Sequence, residues 1–314
     1  MSQYRAKLPQ LNGDVFLTDS GLETTLIFHD GIDIPYFAAF HLLKDEQGRQ
    51  ALRRYFTRHV TIAQQNDTGF ILESATWRAS PDWGDKLGYS TQALAEANHK
   101  AIELLRELRV DHVTNRTPIV ISGCVGPRGD GYDPGVVMNP AEAEAYHAFQ
   151  ICAFAATEAD LVTAITMTNS NEAIGITRAA KVADIPVVIS FTVETDGKLP
   201  TGQDLGDAIQ EVDKTTNRAP AYYMINCAHP SHFEGALQDQ AWIERLRGIR
   251  ANASRCSHAE LDEAEVLDDG NPVELGHQYG ALRARFPQIN VLGGCCGTDH
   301  RHIEQIAKTC AVVT

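Results

Sequence analysis

The sequence predicts an α/β protein built as one (β/α)8 TIM barrel, and three observations carry that prediction. Short β-branched runs alternate with amphipathic helical stretches eight times from one end of the chain to the other. The 314 residues suit a barrel that takes roughly 250 residues plus insertions. The chemically unusual residues all fall at or just past the C-terminal ends of the apolar runs, the face where barrels place their chemistry: Asp19, Glu73, Gly123 with Gly126-Pro127, Thr166, Thr192, Cys227, Asn252 and the run Gly294-Cys295-Cys296-Gly297. A doubly wound open sheet is the runner-up. It would not ordinarily bring the ends of its sixth and eighth strands within reach of one ion.

Taken in order, the first strand is expected over 15–19, ending on Asp19, and the second over 69–73, ending on Glu73. The stripe Leu94, Ala97, Ala101, Leu104, Leu105 and Leu108 predicts a helix over 92–109. Strand three follows over 118–122, and Asn139 before Pro140 caps a helix over 140–159. Strands over 160–166 and 186–193 bracket a helix over 171–183, and a helix over 203–214 leads to strand six, 221–226. A helix over 236–246 is expected before strand seven, 248–252, and one over 272–286 before strand eight, 289–292; a helix over 299–310 closes the barrel. The acidic stretch 259–269, with Glu260, Asp262, Glu263, Glu265, Asp268 and Asp269, reads as a solvated connection.

Composition excludes several classes of function. A hydrophobic share of 43% over this length fills one large core, and one domain over 1–314 accounts for the chain. The formal net charge of −14 opposes nucleic acid and anionic membrane surfaces, both of which need a basic footprint. No apolar run is long enough to span a bilayer, and no secretory signal opens the chain. The expected setting is therefore cytoplasmic, with thiols reduced. Expected partners are small molecules; assembly as a homo-oligomer stays open.

Adjacent cysteines between glycines at 293–298, just past Ile289-Asn290-Val291-Leu292, are poorly explained by packing. Cys227 closes the run Ala221-Tyr222-Tyr223-Met224-Ile225-Asn226 in the same manner, so two strands would deliver three sulfurs to one place. Any single cysteine reads as a small core hydrophobe, and Cys124, Cys152, Cys256 and Cys310 are assigned that way. Cys227, Cys295 and Cys296 together read as a zinc site with an open fourth position. His229 or His232, close behind Cys227, would turn it into a closed structural site. An open thiolate site is suited to binding a substrate thiol as thiolate and presenting it to an activated methyl group.

On these residues the chain resembles the homocysteine S-methyltransferase family, which includes the S-methylmethionine and betaine enzymes. The resemblance runs through Thr18-Asp19-Ser20-Gly21, Gly123-Cys124-Val125-Gly126-Pro127, Ser190-Phe191-Thr192, Thr201-Gly202, Asn226-Cys227 and Gly293-Gly294-Cys295-Cys296-Gly297-Thr298. It implies a (β/α)8 barrel, zinc on Cys227, Cys295 and Cys296, and Asp19 at the amino-acid end of homocysteine; Ser20 and Asn226, beside these motif residues, are further substrate-binding candidates. Ser20 stands where a glycine is commoner. The family's strand-four glutamate falls here at Ile165.

If homocysteine is nonetheless the acceptor, Glu73 is the candidate to meet its ammonium, since it ends strand two on the same face as Asp19; alternatively Glu73 pairs with Arg78. The methyl donor is expected to be a small onium compound, a sulfonium such as S-methylmethionine or S-adenosylmethionine ahead of a betaine-type quaternary ammonium. Trp77, Trp83, Tyr36 and Tyr132 offer aromatic faces for it. The competing readings are a thiol acceptor that is not an amino acid and a zinc-holding protein without catalysis.

Overall fold

Eight parallel strands close into a barrel in the order of the sequence, with β1 meeting β8. The structure is a computed structural model, and it describes residues 2–237, 240–264 and 266–311. The strands are β1 (Phe16–Leu17), β2 (Gly69–Glu73), β3 (Ile119–Val125), β4 (Leu161–Met167), β5 (Val187–Phe191), β6 (Tyr223–Asn226), β7 (Leu246–Ala251) and β8 (Val291–Gly294). Closure rests on the shortest of them, since Phe16 is in register with Gly69 on one side and Val291 on the other. The strand expected over 15–19 is cut to two residues because the backbone of Thr18 and Asp19 pairs with β8, through Leu292 O and Gly294 N, and no longer with β2.

The helices are α1 (Glu46–Gln65), α2 (Pro81–Lys86), α3 (Thr91–His112), α4 (Pro140–Ala155), α5 (Ser170–Val182), α6 (Leu205–Thr216), α7 (Pro230–Phe233), α8 (His258–Asp262), α9 (Pro272–Arg285) and α10 (His300–Cys310). Most start on side-chain caps: Asp45 accepts from Gly48 N, and Asn139 forms a capping box with Glu142 ahead of Pro140. Two differences from the sequence reading have physical causes. The first βα unit carries a long helix, α1, that the reading lacks; it is reached through a π turn at Thr24–His29 and 3-10 turns at Pro35–Phe37 and Ala39–Lys44, which hide the βα rhythm. The helix expected over 236–246 is absent among the described residues, and part of that range, 238–239, lies outside them. In its place stand the single turn α7 and a 3-10 turn at Ala241–Arg245, because Leu246 is claimed by β7, in register with Tyr223.

Side chains of a strand alternate between faces, and in each strand one parity fills the barrel. Phe16, Ile71, Val120, Leu161, Val188, Tyr222, Met224 and Val291 pack together as an apolar plug inside it. The N-terminal segment seals that end: Leu8 joins the plug, Tyr4 N donates to Asp160 Oδ1, and Gln10 O accepts from Asn290 Nδ2. Two residues further along each strand, on the same parity, the interior turns polar: Glu73, Ser122, Thr163, Ser190 and Asn226 are linked by hydrogen bonds from Thr163 Oγ1 to Glu73 Oε1 (2.9 Å), between Ser122 and Thr163 (2.8 Å), and from Ser190 to Asn226 (2.6 Å). The strand pattern thus lifts the charged residues to the C-terminal mouth.

Candidate metal centre and acceptor pocket

The glycines of Gly293-Gly294-Cys295-Cys296 are there because β8 runs tight against the segment after β1 and against the turn that follows β8 itself. A Cβ on Gly293 would strike Thr18 Oγ1 and one on Gly294 would strike Thr298 Oγ1. Across the mouth, Cys227 follows β6 at φ +54°, a left-handed conformation uncommon outside glycine. Its backbone is held on both sides, the N–H by Arg250 O (3.1 Å) and the carbonyl by His258 Nε2 (2.6 Å). Thr166, also left-handed at φ +65°, is held by Asn226, which accepts from Thr166 N (2.9 Å) and donates to its Oγ1 (2.8 Å). Backbone held off its usual minima in this way clusters at functional sites.

The result is one group of three sulfurs, Cys227, Cys295 and Cys296, whose Sγ atoms all lie within 4.8 Å of one another. Cys227 and Cys296 sulfurs are 3.8 Å apart. Four thiolate-length bonds of 2.3 Å around a tetrahedral zinc put sulfurs about 3.8 Å apart, so the donor set fits the ion in chemistry and the Cys227–Cys296 pair fits it in spacing. The Cα atoms of Cys227 and Cys295 are 5.4 Å apart, so these two sulfurs are also placed to pair as a disulfide. Strand ends close enough to share an ion are also within ordinary disulfide span, so the bound ion and the disulfide are alternative states of one pair of sulfurs. Tyr132 Oη lies 3.3 Å from Cys296 Sγ, and Asn226 Nδ2 lies 4.0 Å from Cys295 Sγ. Neither His229 nor His232 joins the sulfurs; His229 Nδ1 faces Ser231 and His232 Nε2 donates to Arg255 O.

The sulfurs stand on the wall of a cavity of about 330 Å³ that Asp19, Ser20, Glu73, Trp77, Ile165 and Arg250 also line. At its floor, Arg250 Nη2 donates to Asp19 Oδ1 at 2.6 Å, and Tyr55 Oη donates to Asp19 Oδ2 at 3.1 Å. Burial works against the Arg250 charge, but Asp19 and Glu73 outweigh it and hold the guanidinium firmly protonated. Burial pushes the Glu73 carboxyl up to about 7 against the opposing pull of Arg250. Glu23, partly exposed in the wall after β1, is raised to about 7 by the same desolvation. Ser20 Oγ lies 2.8 Å from His59 Nε2. Since His59 Nδ1 donates to Tyr55 O (2.9 Å), its Nε2 is the acceptor of the Ser20 hydroxyl. Burial lowers the His59 imidazole to about 4, which keeps it neutral.

Several expected roles change. Asn226 is fully buried and is not part of the cavity wall; its amide is committed to Thr166 and Ser190, so it shapes the site from beneath. Arg78 is not the partner of Glu73: it pairs with Asp130 (3.4 Å), donates to Tyr36 O and lies 3.9 Å over the Trp83 ring. Trp83, which also carries Lys86 at 3.9 Å, and the exposed Tyr36 are off the cavity, so of the four expected aromatic faces only Trp77 and Tyr132 line it. The acidic stretch 259–269 is more than a solvated face. Leu261, Ala264, Val266 and Leu267 from it line the cavity beside Phe28 and Phe37, while Glu265 lies outside the described residues. Arg250, Tyr55 and His59 went unread in the sequence. The available signal was Arg250 itself, an arginine between the apolar Ile249 and Ala251 at the C-terminal end of strand seven.

No curated protein matches the chain in sequence. In fold it is similar to the homocysteine methyltransferase MmuM from Escherichia coli in its oxidized form, with a TM-score of 0.73 at 17% identity over 94% of this chain and 96% of that one. The metallated form of the same enzyme gives 0.72 at the same identity and coverage. Identity at that level speaks for the fold alone. Membership rests on the family model for homocysteine S-methyltransferase, which matches residues 16–310 and so takes in all eight strands and the three sulfurs. The chain is an S-methyltransferase and belongs to the homocysteine S-methyltransferase family.

Proposed function

We propose that this protein moves a methyl group from a small onium donor to the sulfur of homocysteine, giving methionine, with zinc held by Cys227, Cys295 and Cys296. The observation that carries the reading is the convergence of three cysteine sulfurs on the wall of a cavity that also holds a charged floor. Zinc bound there supplies a Lewis-acidic position that takes a thiol as thiolate near neutral pH. The chain's own residues do the rest. Asp19, Arg250 and Glu73 make the charged floor that the acceptor's polar end meets, Ser20 and His59 fix the wall beside Asp19, and Trp77 and Tyr132 give the donor cation an aromatic lining. Phe28, Phe37 and Leu261 surround the mouth with apolar surface that limits water.

A sulfonium such as S-methylmethionine or S-adenosylmethionine is the donor favoured, since a neutral sulfide leaves more readily than an amine; a betaine-type ammonium is the alternative. Ile165 supports a second reading in which the acceptor is a thiol other than an amino acid, because that position offers no carboxylate to an ammonium. A zinc site without catalysis has less support, as neither nearby histidine closes the coordination. The cytoplasm suits the reading, since the ligands must be thiolates. Among the described residues no helix is long and apolar enough to cross a membrane. The test is a screen of reduced, zinc-loaded protein with homocysteine and other thiols against each donor. Transfer to homocysteine from a sulfonium is expected; transfer to none of the thiols from any donor would sink the reading.

A further inference from the structure

We propose that Arg250 reads the carboxylate of the thiol acceptor, so that this pocket selects thiols carrying an acid group, and that Asp19 serves to position Arg250 rather than to hold the acceptor's ammonium. This deepens the homocysteine reading and rests on it.

The argument starts from hydrogen bonds that are made and those that are not. Arg250 sits on the inward parity of β7, its side chain 8% exposed. Its Nη2 serves Asp19 Oδ1 (2.6 Å) and Ser20 O (3.4 Å), and its Nε serves Gly294 O (3.2 Å). Its Nη1 is buried and has no partner, although the residue lines the cavity. Buried polar atoms are nearly always paired, and one left open at a cavity wall is a place for a ligand atom. Both Asp19 oxygens are already taken, one by Arg250 and one by Tyr55. Asp19 is therefore committed to holding the guanidinium, whereas the Arg250 Nη1 N–H has no partner at all.

The complementary open atom is Glu73 Oε2, also buried, unpartnered and on a residue of the same wall. The two open atoms are not each other's partners. One offers a hydrogen and the other accepts one, which is the reverse of what the α-carboxylate and α-ammonium of an amino-acid thiol present. The guanidinium is also rooted between the two sulfur-bearing strands. Arg250 O accepts from Cys227 N, and Arg250 Nε donates to the carbonyl of Gly294, the residue before Cys295. A thiol at the sulfurs with its carboxylate on Arg250 therefore needs only a short carbon chain between, as homocysteine has. Arginine is the side chain best matched to a carboxylate by geometry.

The experiment compares three acceptors on reduced, zinc-loaded protein: homocysteine, 3-mercaptopropylamine, which lacks its carboxylate, and 4-mercaptobutyrate, which lacks its ammonium. Binding is read by calorimetry and transfer by KM and kcat. Loss of the carboxylate should weaken binding and raise KM about ten- to a hundredfold in the wild type, while 4-mercaptobutyrate keeps the larger part of the affinity. Asp19→Asn with Arg250→Gln removes both charges together, so neither is left buried alone; in that protein homocysteine should fall to the level of 3-mercaptopropylamine, with circular dichroism confirming the fold. The proposal is overturned if the wild type treats those two thiols alike, if the double variant still separates them, or if the loss falls on the donor's KM and not the acceptor's. Should no donor transfer a methyl group, the transferase reading fails while the calorimetric preference still decides the role of Arg250.

Discussion

Arg250 and Asp19 meet at 2.6 Å across 231 residues of sequence, and both side chains are nearly sealed from solvent. Such a pair is more informative about what breaks when one member goes than about net stabilisation. Asp19→Asn should destabilise the protein by about 3–5 kcal/mol, because it leaves a buried guanidinium without its counter-charge. Adding Arg250→Gln should recover most of that loss. Urea unfolding of the wild type, the single variant and the double variant measures it; additive losses would mean the two residues do not act as a pair.

The sulfur group gives the second prediction. Cys296→Ser should reduce zinc from about one ion per chain to near none. Its metal-free form should melt where metal-free wild type does, since the barrel core is apolar packing far below the sulfurs. Metal analysis after dialysis decides it, and full zinc occupancy in the variant would remove Cys296 from the ligand set.

Reduction is the third. Oxidised protein, in which Cys227 and Cys295 pair, should hide two of the seven cysteines from a thiol-specific reagent under denaturing conditions and take up little zinc. Treatment with a reducing agent should raise the thiol count by two and zinc uptake together. Zinc bound fully by the oxidised protein would show that the ion uses other ligands.

The barrel was readable because each strand carries a local signal, a short β-branched run ending in a residue of unusual chemistry. The convergence of Cys227 with Cys295 and Cys296 followed from that signal plus closure. What the sequence concealed depends on the closure itself. Tyr55 and His59 lie on α1, a helix whose approach through π and 3-10 turns masks the βα rhythm, and they matter only because they dock on Asp19 and Ser20. The helix misplaced at 236–246 reflects a contest that periodicity does not decide, since Leu246 suits a helix stripe or a strand equally until Tyr223 lies beside it.

A fourth prediction concerns the open coordination position. Cobalt in place of zinc should give visible absorption that changes when the acceptor thiol is added, as a further sulfur enters the metal's surroundings. An unchanged spectrum at saturating thiol would favour a closed site.

The last prediction concerns pH, where two buried groups on the cavity wall pull in opposite directions. His59 is held near 4 by burial, against an ordinary value of 6.5. Between those values the unfolded chain binds a proton that the folded one refuses, so stability falls as pH drops from 6.5 to 4, by on the order of 3 kcal/mol in full. Glu73 is raised to about 7 by burial from an ordinary 4.5. There the folded chain binds the proton first, so stability rises as pH falls from 7 to 4.5, by a similar amount. The windows overlap, so the two contributions oppose each other in the wild type. Glu23, also raised to about 7, adds to the Glu73 side, so the variants are read against wild type: Glu73→Gln should lose stability relative to it as pH falls toward 4.5, and His59→Gln should gain. Urea unfolding at pH 7, 5.5 and 4.5 separates the three proteins, and parallel profiles would mean that neither group titrates differently in the folded and unfolded chains.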